Sequence, residues 1–192
     1  MKIENGTKCN GSEAIITTWS GRHINLLLPC PSDIAIDDIA AALSRLARFG
    51  GHTSRPYTVA EHCCLGAEFC TPERRFEFLL HDATEAYLGD VTGPLKRMAG
   101  MQFYRDLEAM WAGAIADRFG LPRAMSKQIH AIDKRMLVTE QRDLMGRHPL
   151  STDKHRPFSF VIGQVEPPAE LLRERFLAMF YHLAARTEGA KR

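Results

Sequence analysis

The sequence has no long apolar run, no excess of one charge and no cysteine pattern of the zinc-binding kind. Lysine and arginine number 25 against 23 aspartate and glutamate, a formal net charge of +2 over 192 residues. Clustered cations normally bind duplex nucleic acid or an anionic membrane, so this balance predicts neither partner. Apolar stretches fall short of the roughly 18 residues of a membrane span. Residues 1–10 lack the apolar core of a signal peptide, and we expect a cytoplasmic protein.

Five cysteines are present, and their usage fits a reducing compartment. An odd number cannot pair completely within one chain, and the spacings match no zinc motif. Free thiols are typical of intracellular proteins. The residues are Cys9, Cys30, Cys63, Cys64 and Cys70.

Composition and length predict one folded domain. Hydrophobic residues make up 45% of the chain and charged residues 25%, which is typical of a globular protein and excludes a low-complexity scaffold. A chain of 192 residues is long enough to bury a single core. No linker or repeat divides it, so we expect a single domain over residues 1–192. Residues 1–30 are expected to form an N-terminal extension and 187–192 a frayed tail.

The spacing of apolar residues predicts an all-α fold with minor β elements. Residues 15–19 and 23–28 favour a short hairpin around a Ser20-Gly21 turn, and residues 158–165 resemble a short strand. Elsewhere the apolar residues recur with a helical period, and Asp33 is expected to cap the first helix. We expect a bundle of about six helices. They are predicted over residues 36–47, 58–70, 72–88, 101–119, 122–145 and 167–186.

Four side chains suited to metal binding fall on inward faces of three predicted helices. The imidazole of His62 and the carboxylate of Asp133 each lie on an apolar face, while His81 and Asp82 belong to a polar stripe in apolar surroundings. Each alone is explained by a hydrogen-bonded core histidine or by a buried ion pair. An ionised carboxylate is costly to bury without a partner. One divalent metal would satisfy all four groups together.

These residues, in this order, resemble the signature of the HD-domain metal-dependent phosphohydrolases, whose fold is an all-helical bundle. A longer match resembles the 5′-deoxynucleotidase branch of that superfamily: TVAEH at 58–62, HDATEAYLGD at 81–90 and PLK at 94–96. The likeness covers residues 45–96 and the surroundings of Asp133. The resemblance implies that His62, His81, Asp82 and Asp133 bind a divalent transition metal.

The metal count and identity follow in part from the same comparison. HD proteins with two metals carry additional histidines between the doublet and the last aspartate, whereas only His130 stands there in this chain. We therefore expect one metal. Imidazole and carboxylate ligands suit Mn, Fe, Co, Ni or Zn, and the order of affinities does not distinguish which of them is bound.

The resemblance also implies Glu85 and Asp90 as catalytic carboxylates. On a continuous helix Glu85 would lie one turn beyond His81, about 6 Å along the axis, within reach of a water on the metal. Asp90 follows Gly89, where a tight turn would return its carboxylate to the site. The alternatives are a solvated acid on the helix face for Glu85 and a turn cap for Asp90.

A phosphate ester requires cations in addition to the metal. The resemblance places Arg48 as an arginine that contacts substrate, and Lys96, beyond the catalytic turn, is the second candidate. His52 and Arg55, in the loop before the His62 helix, are candidates for the mouth of the site.

The predicted function is hydrolysis of a small nucleotide, with release of phosphate from a deoxynucleoside 5′-monophosphate. One alternative is a deoxynucleoside triphosphate triphosphohydrolase, and another is a non-catalytic, metal-bound nucleotide sensor. Apolar residues assigned to helix surfaces, Trp111 and Phe180, favour a homo-oligomer.

Overall fold

A computed structural model of the protein describes residues 14–145 and 155–189, with side chains to residue 187. Cys9 and the end of the predicted tail lie outside the described residues. The described part is mostly helical with one small sheet, which confirms the predicted all-α class. Its strands are β1 (Ile15–Thr17) and β2 (His23–Asn25). Its α-helices are α1 (Ile36–Leu43), α2 (Val59–Glu68), α3 (Arg75–Leu79), α4 (Glu85–Leu88), α5 (Gly93–Lys96), α6 (Gln102–Phe119), α7 (Lys127–Leu144) and α8 (Ala169–Gly189).

The predicted hairpin is confirmed and is anchored on the helices. β1 and β2 pair antiparallel with Ile16 opposite Ile24. At the hairpin turn, the Ser20 backbone N–H and hydroxyl both donate to the Asp38 carboxylate of α1. The indole N–H of Trp111 on α6 donates to a backbone carbonyl just beyond β2. The N-terminal hairpin is therefore part of the folded domain.

Helices α1, α2, α3 and α8 pack around one principal core. α8 contacts each of the other three, so the last helix covers elements formed much earlier in the chain. α2 and α3 pack closely where Gly66 faces Phe78. A Cβ atom at Gly66 would collide with the Phe78 ring, so the spacing of these two helices requires glycine.

Trp111 and Phe180 belong to this core, so their assignment to a helix surface is wrong. Trp111 is fully buried, with its ring stacked on Tyr87 at 4.1 Å between centroids. Phe180 is 8% exposed and packs against Phe76 and Phe119. Both rings are covered by their own chain. The homo-oligomer stays a prediction, but these two buried residues no longer favour it.

The largest departure from the predicted helices is a break within residues 72–88. α3 ends at Leu79, and residues 80–84 form consecutive tight turns before α4 begins. Backbone N–H groups in this break bond to carbonyls three residues earlier, as in Ala83 to Leu80 and Glu85 to Asp82. The His81-Asp82 doublet therefore stands in a turn between two short helices, where the sequence predicted one continuous helix.

Other boundaries moved for local reasons. Asp33 ends a short 3₁₀ helix, and Ala35 occupies the N-cap of α1. α7 begins only after Ser126, whose hydroxyl accepts from the Ile129 N–H. The predicted strand at 158–165 is irregular.

Among the described residues, no helix combines the length and apolar character needed to cross a bilayer.

Candidate metal centre

Three segments distant in sequence bring the predicted ligands to one point. His62 comes from the middle of α2, His81 and Asp82 from the turn after α3. His62 Nε2 lies 3.4 Å from His81 Nε2 and 3.6 Å from Asp82 Oδ2. His81 Nε2 lies 3.2 Å from Asp82 Oδ2. These three residues form a group that can hold a metal ion.

Asp133, on α7, presents its carboxylate to the same point. Its Oδ1 lies 3.6 Å from His62 Nε2 and 3.9 Å from His81 Nε2. With metal–ligand bonds of about 2.0–2.2 Å, neighbouring ligands of one ion lie about 3–3.5 Å apart. The spacings from Asp133 to the two imidazoles are slightly above this range, and the described group whose ligand atoms all lie near one another comprises His62, His81 and Asp82 without Asp133. Imidazole and carboxylate donors suit a divalent transition metal.

The helix break brings His81 and Asp82 together. In a continuous α-helix, adjacent side chains point roughly 100° apart. The turn at 80–84 directs both side chains to one point, which their short separation shows. The break thus replaces regular helix at the position where the side chains of two consecutive candidate ligands converge.

Hydrogen bonds orient both imidazoles. His62 Nδ1 lies 2.5 Å from Glu140 Oε1, and His81 Nδ1 lies 2.6 Å from the Phe78 carbonyl oxygen. Both partners are acceptors, so each Nδ1 carries the proton and donates it. The Nε2 atoms then face the centre, as they do in metal-bound histidines.

The electrostatics of the cluster favour a cation. Burial lowers the pKa of His81, but the charges of Asp82 and Asp133 outweigh it and raise the pKa to about 9. Burial raises the pKa of Asp133, yet the hydrogen bond and charge of His81 hold it well below its ordinary value. The site therefore stabilises positive charge between its carboxylates.

Glu140 contacts the candidate ligand His62 and was not identified as a site residue from the sequence. It is fully buried on α7, two turns after Asp133. Besides His62, it accepts from the Tyr57 hydroxyl at 3.0 Å and from Arg48 Nη2 at 3.1 Å. Burial raises its pKa, but the charges of Arg48 and His62 lower the value to about 2. Its position seven residues after Asp133, on the same face of the helix, is the sequence signal that could have identified it.

Glu85 and Asp90 lie beside the ligands. Glu85 is 7% exposed, and its Oε2 has no hydrogen-bond partner among the described residues. Burial, together with the charges of Asp82 and Asp90, raises the pKa of Glu85 to about 10. Burial also raises the pKa of Asp90, and Arg48 opposes this shift. Gly89, with φ of 80°, forms the turn that precedes Asp90.

Arg48 reaches the cluster from a strained loop. Its Nη1 lies 3.3 Å from Asp82 Oδ2, and its Nε is buried without a partner among the described residues. The next residue, Phe49, has φ of 56° in the left-handed region. This conformation costs a non-glycine residue about 1–2 kcal/mol. A hydrogen bond from the Phe49 backbone also favours the ionised form of Asp90.

Lys96 and Glu108 form an ion pair at the edge of the site. Lys96 Nζ lies 2.6 Å from Glu108 Oε1 on α6 and 3.7 Å from Glu85 Oε1. Burial lowers the pKa of Lys96, but the bond to Glu108 and the charge of Glu85 raise it to about 12. Glu108 was not identified from the sequence.

The two loop candidates are placed differently. Arg55 is buried and makes two bonds to Glu61, with further bonds to the carbonyls of Pro56 and Gly163. Its guanidinium therefore holds the loop to α2 and to residue 163. His52 is exposed, and its backbone N–H bonds to the Phe49 carbonyl. The structure does not bring Arg55 into the ligand cluster.

The fold and the donor set define a mostly helical protein with a candidate metal site. No model of a known protein family matches the chain. The chain belongs to one family with two curated bacterial relatives. It is 42% identical over 131 residues to the uncharacterized protein YfdR of Escherichia coli K12. The aligned region covers 68% of this chain and 72% of that relative. It is also 42% identical over 161 residues to the uncharacterized protein RCAP_rcc00048 of Rhodobacter capsulatus. That aligned region covers 77% of this chain and 79% of the relative.

Proposed function

We propose that the protein is a metal-dependent phosphohydrolase of the HD-domain type that releases phosphate from deoxynucleoside 5′-monophosphates. The observation that supports this proposal best is the convergence of two imidazoles and two carboxylates from three segments, with two further acids beside them. The resemblance in the segments at 58–62, 81–90 and 94–96 supports the reaction class.

His62, His81, Asp82 and Asp133 would hold the metal. When bound, a divalent ion supplies positive charge that polarises a phosphoryl oxygen and acidifies water. The oriented Nε2 atoms and the two carboxylate oxygens fit this role. The absence of cysteine from the donor set is compatible with Mn, Fe, Co and Ni as well as Zn.

The remaining polar groups have separate roles in this proposal. Glu85, whose buried Oε2 has no partner among the described residues, orients the attacking water or accepts its proton. Acceptance of a proton requires that the charge of a bound metal lower the pKa of about 10 that Glu85 has without metal. Asp90 assists proton transfer at the nucleophile or at the leaving oxygen. Arg48 and Lys96 bind phosphoryl oxygens and neutralise the charge that develops there.

The charge balance of the site favours a monophosphate over a triphosphate. Both proposed phosphate-binding cations are already paired with carboxylates: Arg48 with Asp82 and Glu140, and Lys96 with Glu108. A triphosphate carries roughly twice the charge of a monophosphate, and it would require further cations.

Product analysis tests the function. The purified chain, stripped of metal and reloaded with each of the five metals in turn, is incubated with dAMP and with dATP. Phosphorus NMR is expected to show inorganic phosphate from dAMP. Triphosphate released from dATP would favour the triphosphohydrolase, and tight binding without turnover would favour the sensor.

Metal analysis tests the ligand assignment independently. The double variant His81→Ala, Asp82→Ala is expected to lose bound metal, because it removes half of the donor set. His130→Ala is the matched control, since His130 is an exposed histidine on α7. Undiminished metal content in the double variant would overturn the assignment.

We further propose a cytoplasmic location. Cys30, Cys63, Cys64 and Cys70 are free thiols in the described part of the chain, which is typical of a reducing compartment.

A further inference from the structure

We infer that Glu140 is a positioning residue that couples the metal centre to the phosphate-binding arginine. One buried carboxylate binds the metal ligand His62 through one oxygen and Arg48 through the other. The inference rests on the proposed function, because it assigns Glu140 a part in the same site.

The first half of this coupling is the orientation of His62. Glu140 Oε1 accepts from His62 Nδ1 and from the Tyr57 hydroxyl. The acceptor fixes the proton on Nδ1 and leaves the Nε2 lone pair directed at the ligand cluster. Loss of such a partner costs about 10- to 100-fold in metal affinity or activity.

The second half is the orientation of Arg48. Its two terminal nitrogens are divided between Glu140 Oε2 and the metal ligand Asp82. The guanidinium plane is thereby fixed beside the cluster, with Nε buried and without a partner among the residues that the structure describes. Since Glu140 and Asp82 share this arginine, a change at Glu140 reaches both the metal ligands and the phosphate-binding group.

A purely structural role is the competing explanation, since buried ion pairs also affect folding. The chain contains a matched control. Glu61, the neighbour of His62 on α2, is also buried and also paired with an arginine, Arg55, by two bonds of 2.9 and 2.6 Å. Its carboxylate is committed to the loop and not to His62.

The experiment compares Glu140→Gln with Glu61→Gln. Metal-free protein is titrated with Mn²⁺ by calorimetry, and inorganic phosphate is then titrated into the Mn²⁺-loaded protein. Glu140→Gln is expected to bind Mn²⁺ about 10- to 100-fold more weakly and to bind phosphate more weakly than the wild type. Glu61→Gln is expected to lower the melting temperature while leaving both affinities unchanged. A folded Glu140→Gln variant with wild-type Mn²⁺ affinity would overturn the inference.

A measurement on the wild type keeps the inference testable if Glu140→Gln does not fold. Nitrogen-15 NMR of the metal-free chain, in which no ion occupies Nε2, reports which ring nitrogen of His62 carries the proton. A proton on Nδ1 supports the inference, and a proton on Nε2 overturns it. A wild type that binds no metal overturns this inference together with the proposed function. A wild type that hydrolyses dAMP beside an equally metal-binding Glu140→Gln variant overturns this inference alone.

Discussion

The Lys96 ammonium is bound to the Glu108 carboxylate at 2.6 Å, so the proposed phosphate-binding lysine is held from outside the ligand cluster. Glu108 lies on α6, one turn beyond Tyr104, whose hydroxyl donates to the Gly89 carbonyl at 3.1 Å. One face of α6 therefore contacts both the lysine and the turn that leads to Asp90.

Glu108→Gln is expected to lower kcat/KM for dAMP about tenfold, which corresponds to about 1.4 kcal/mol. The neutral amide would hold the ammonium less firmly, and Lys96 would be less well placed for a phosphoryl oxygen. Steady-state kinetics measures the change. Asp106→Asn is the control, because Asp106 is on the same helix and bonds only to exposed Gln102 in the described contacts. Equal losses in both variants would contradict the role of Glu108.

Asp133→Ala is expected to abolish the stabilisation of the fold by Mn²⁺. For the wild type, a metal at a hundredfold excess over Kd adds about 2.7 kcal/mol to the free energy of unfolding. Thermal melts with and without Mn²⁺ measure the difference. His130→Ala, three residues earlier on α7, is expected to keep the wild-type response. A full response in Asp133→Ala would exclude this carboxylate from the ligand set.

The raised pKa of Glu85 predicts that the stability of the metal-free protein depends on pH. Its folded-state pKa of about 10 lies above the ordinary 4.5, so the folded chain holds a proton that the unfolded chain releases between these values. The stabilising contribution is complete below pH 4.5 and is lost as pH rises toward 10. Melting temperatures of wild type and Glu85→Gln measured in chelator should therefore diverge with rising pH, in favour of the variant.

The matched control for that series is Glu68→Gln, an exposed acid on α2 paired with Arg175. Its difference from the wild type should stay constant over the same pH range. If the melting-temperature difference between the wild type and Glu85→Gln also stays constant with pH, the surroundings do not raise the pKa of the Glu85 carboxyl.

Gly66→Ala is expected to destabilise the fold by about 1–3 kcal/mol, the usual cost of overpacking. The added methyl would displace Phe78, whose carbonyl holds His81, so Mn²⁺ affinity should fall as well. Chemical denaturation and metal titration measure the two effects. Gly100→Ala, where an added Cβ meets nothing within 4 Å, is expected to change neither. An unchanged Gly66→Ala protein would contradict the tight approach of α2 and α3.

The sequence predicted the helical class, the hairpin and the residues that converge, because periodicity and the polar exceptions to it are local properties. It did not predict the break at 80–84, since apolar residues continue at helical spacing through both α3 and α4. Glu140 and Glu108 were missed for a different reason. An acid on a helix is assigned a partner only when the neighbouring segment is known, and their partners lie on distant parts of the chain.

The packing of α8 on α1 and α2 has a consequence for biosynthesis. The helix that carries His62 keeps one face uncovered until α8 has been synthesised, since domains complete their core only when all of its elements are available. The segments that carry His62, His81, Asp82 and Asp133 are therefore all made before the helix that completes the packing around α2.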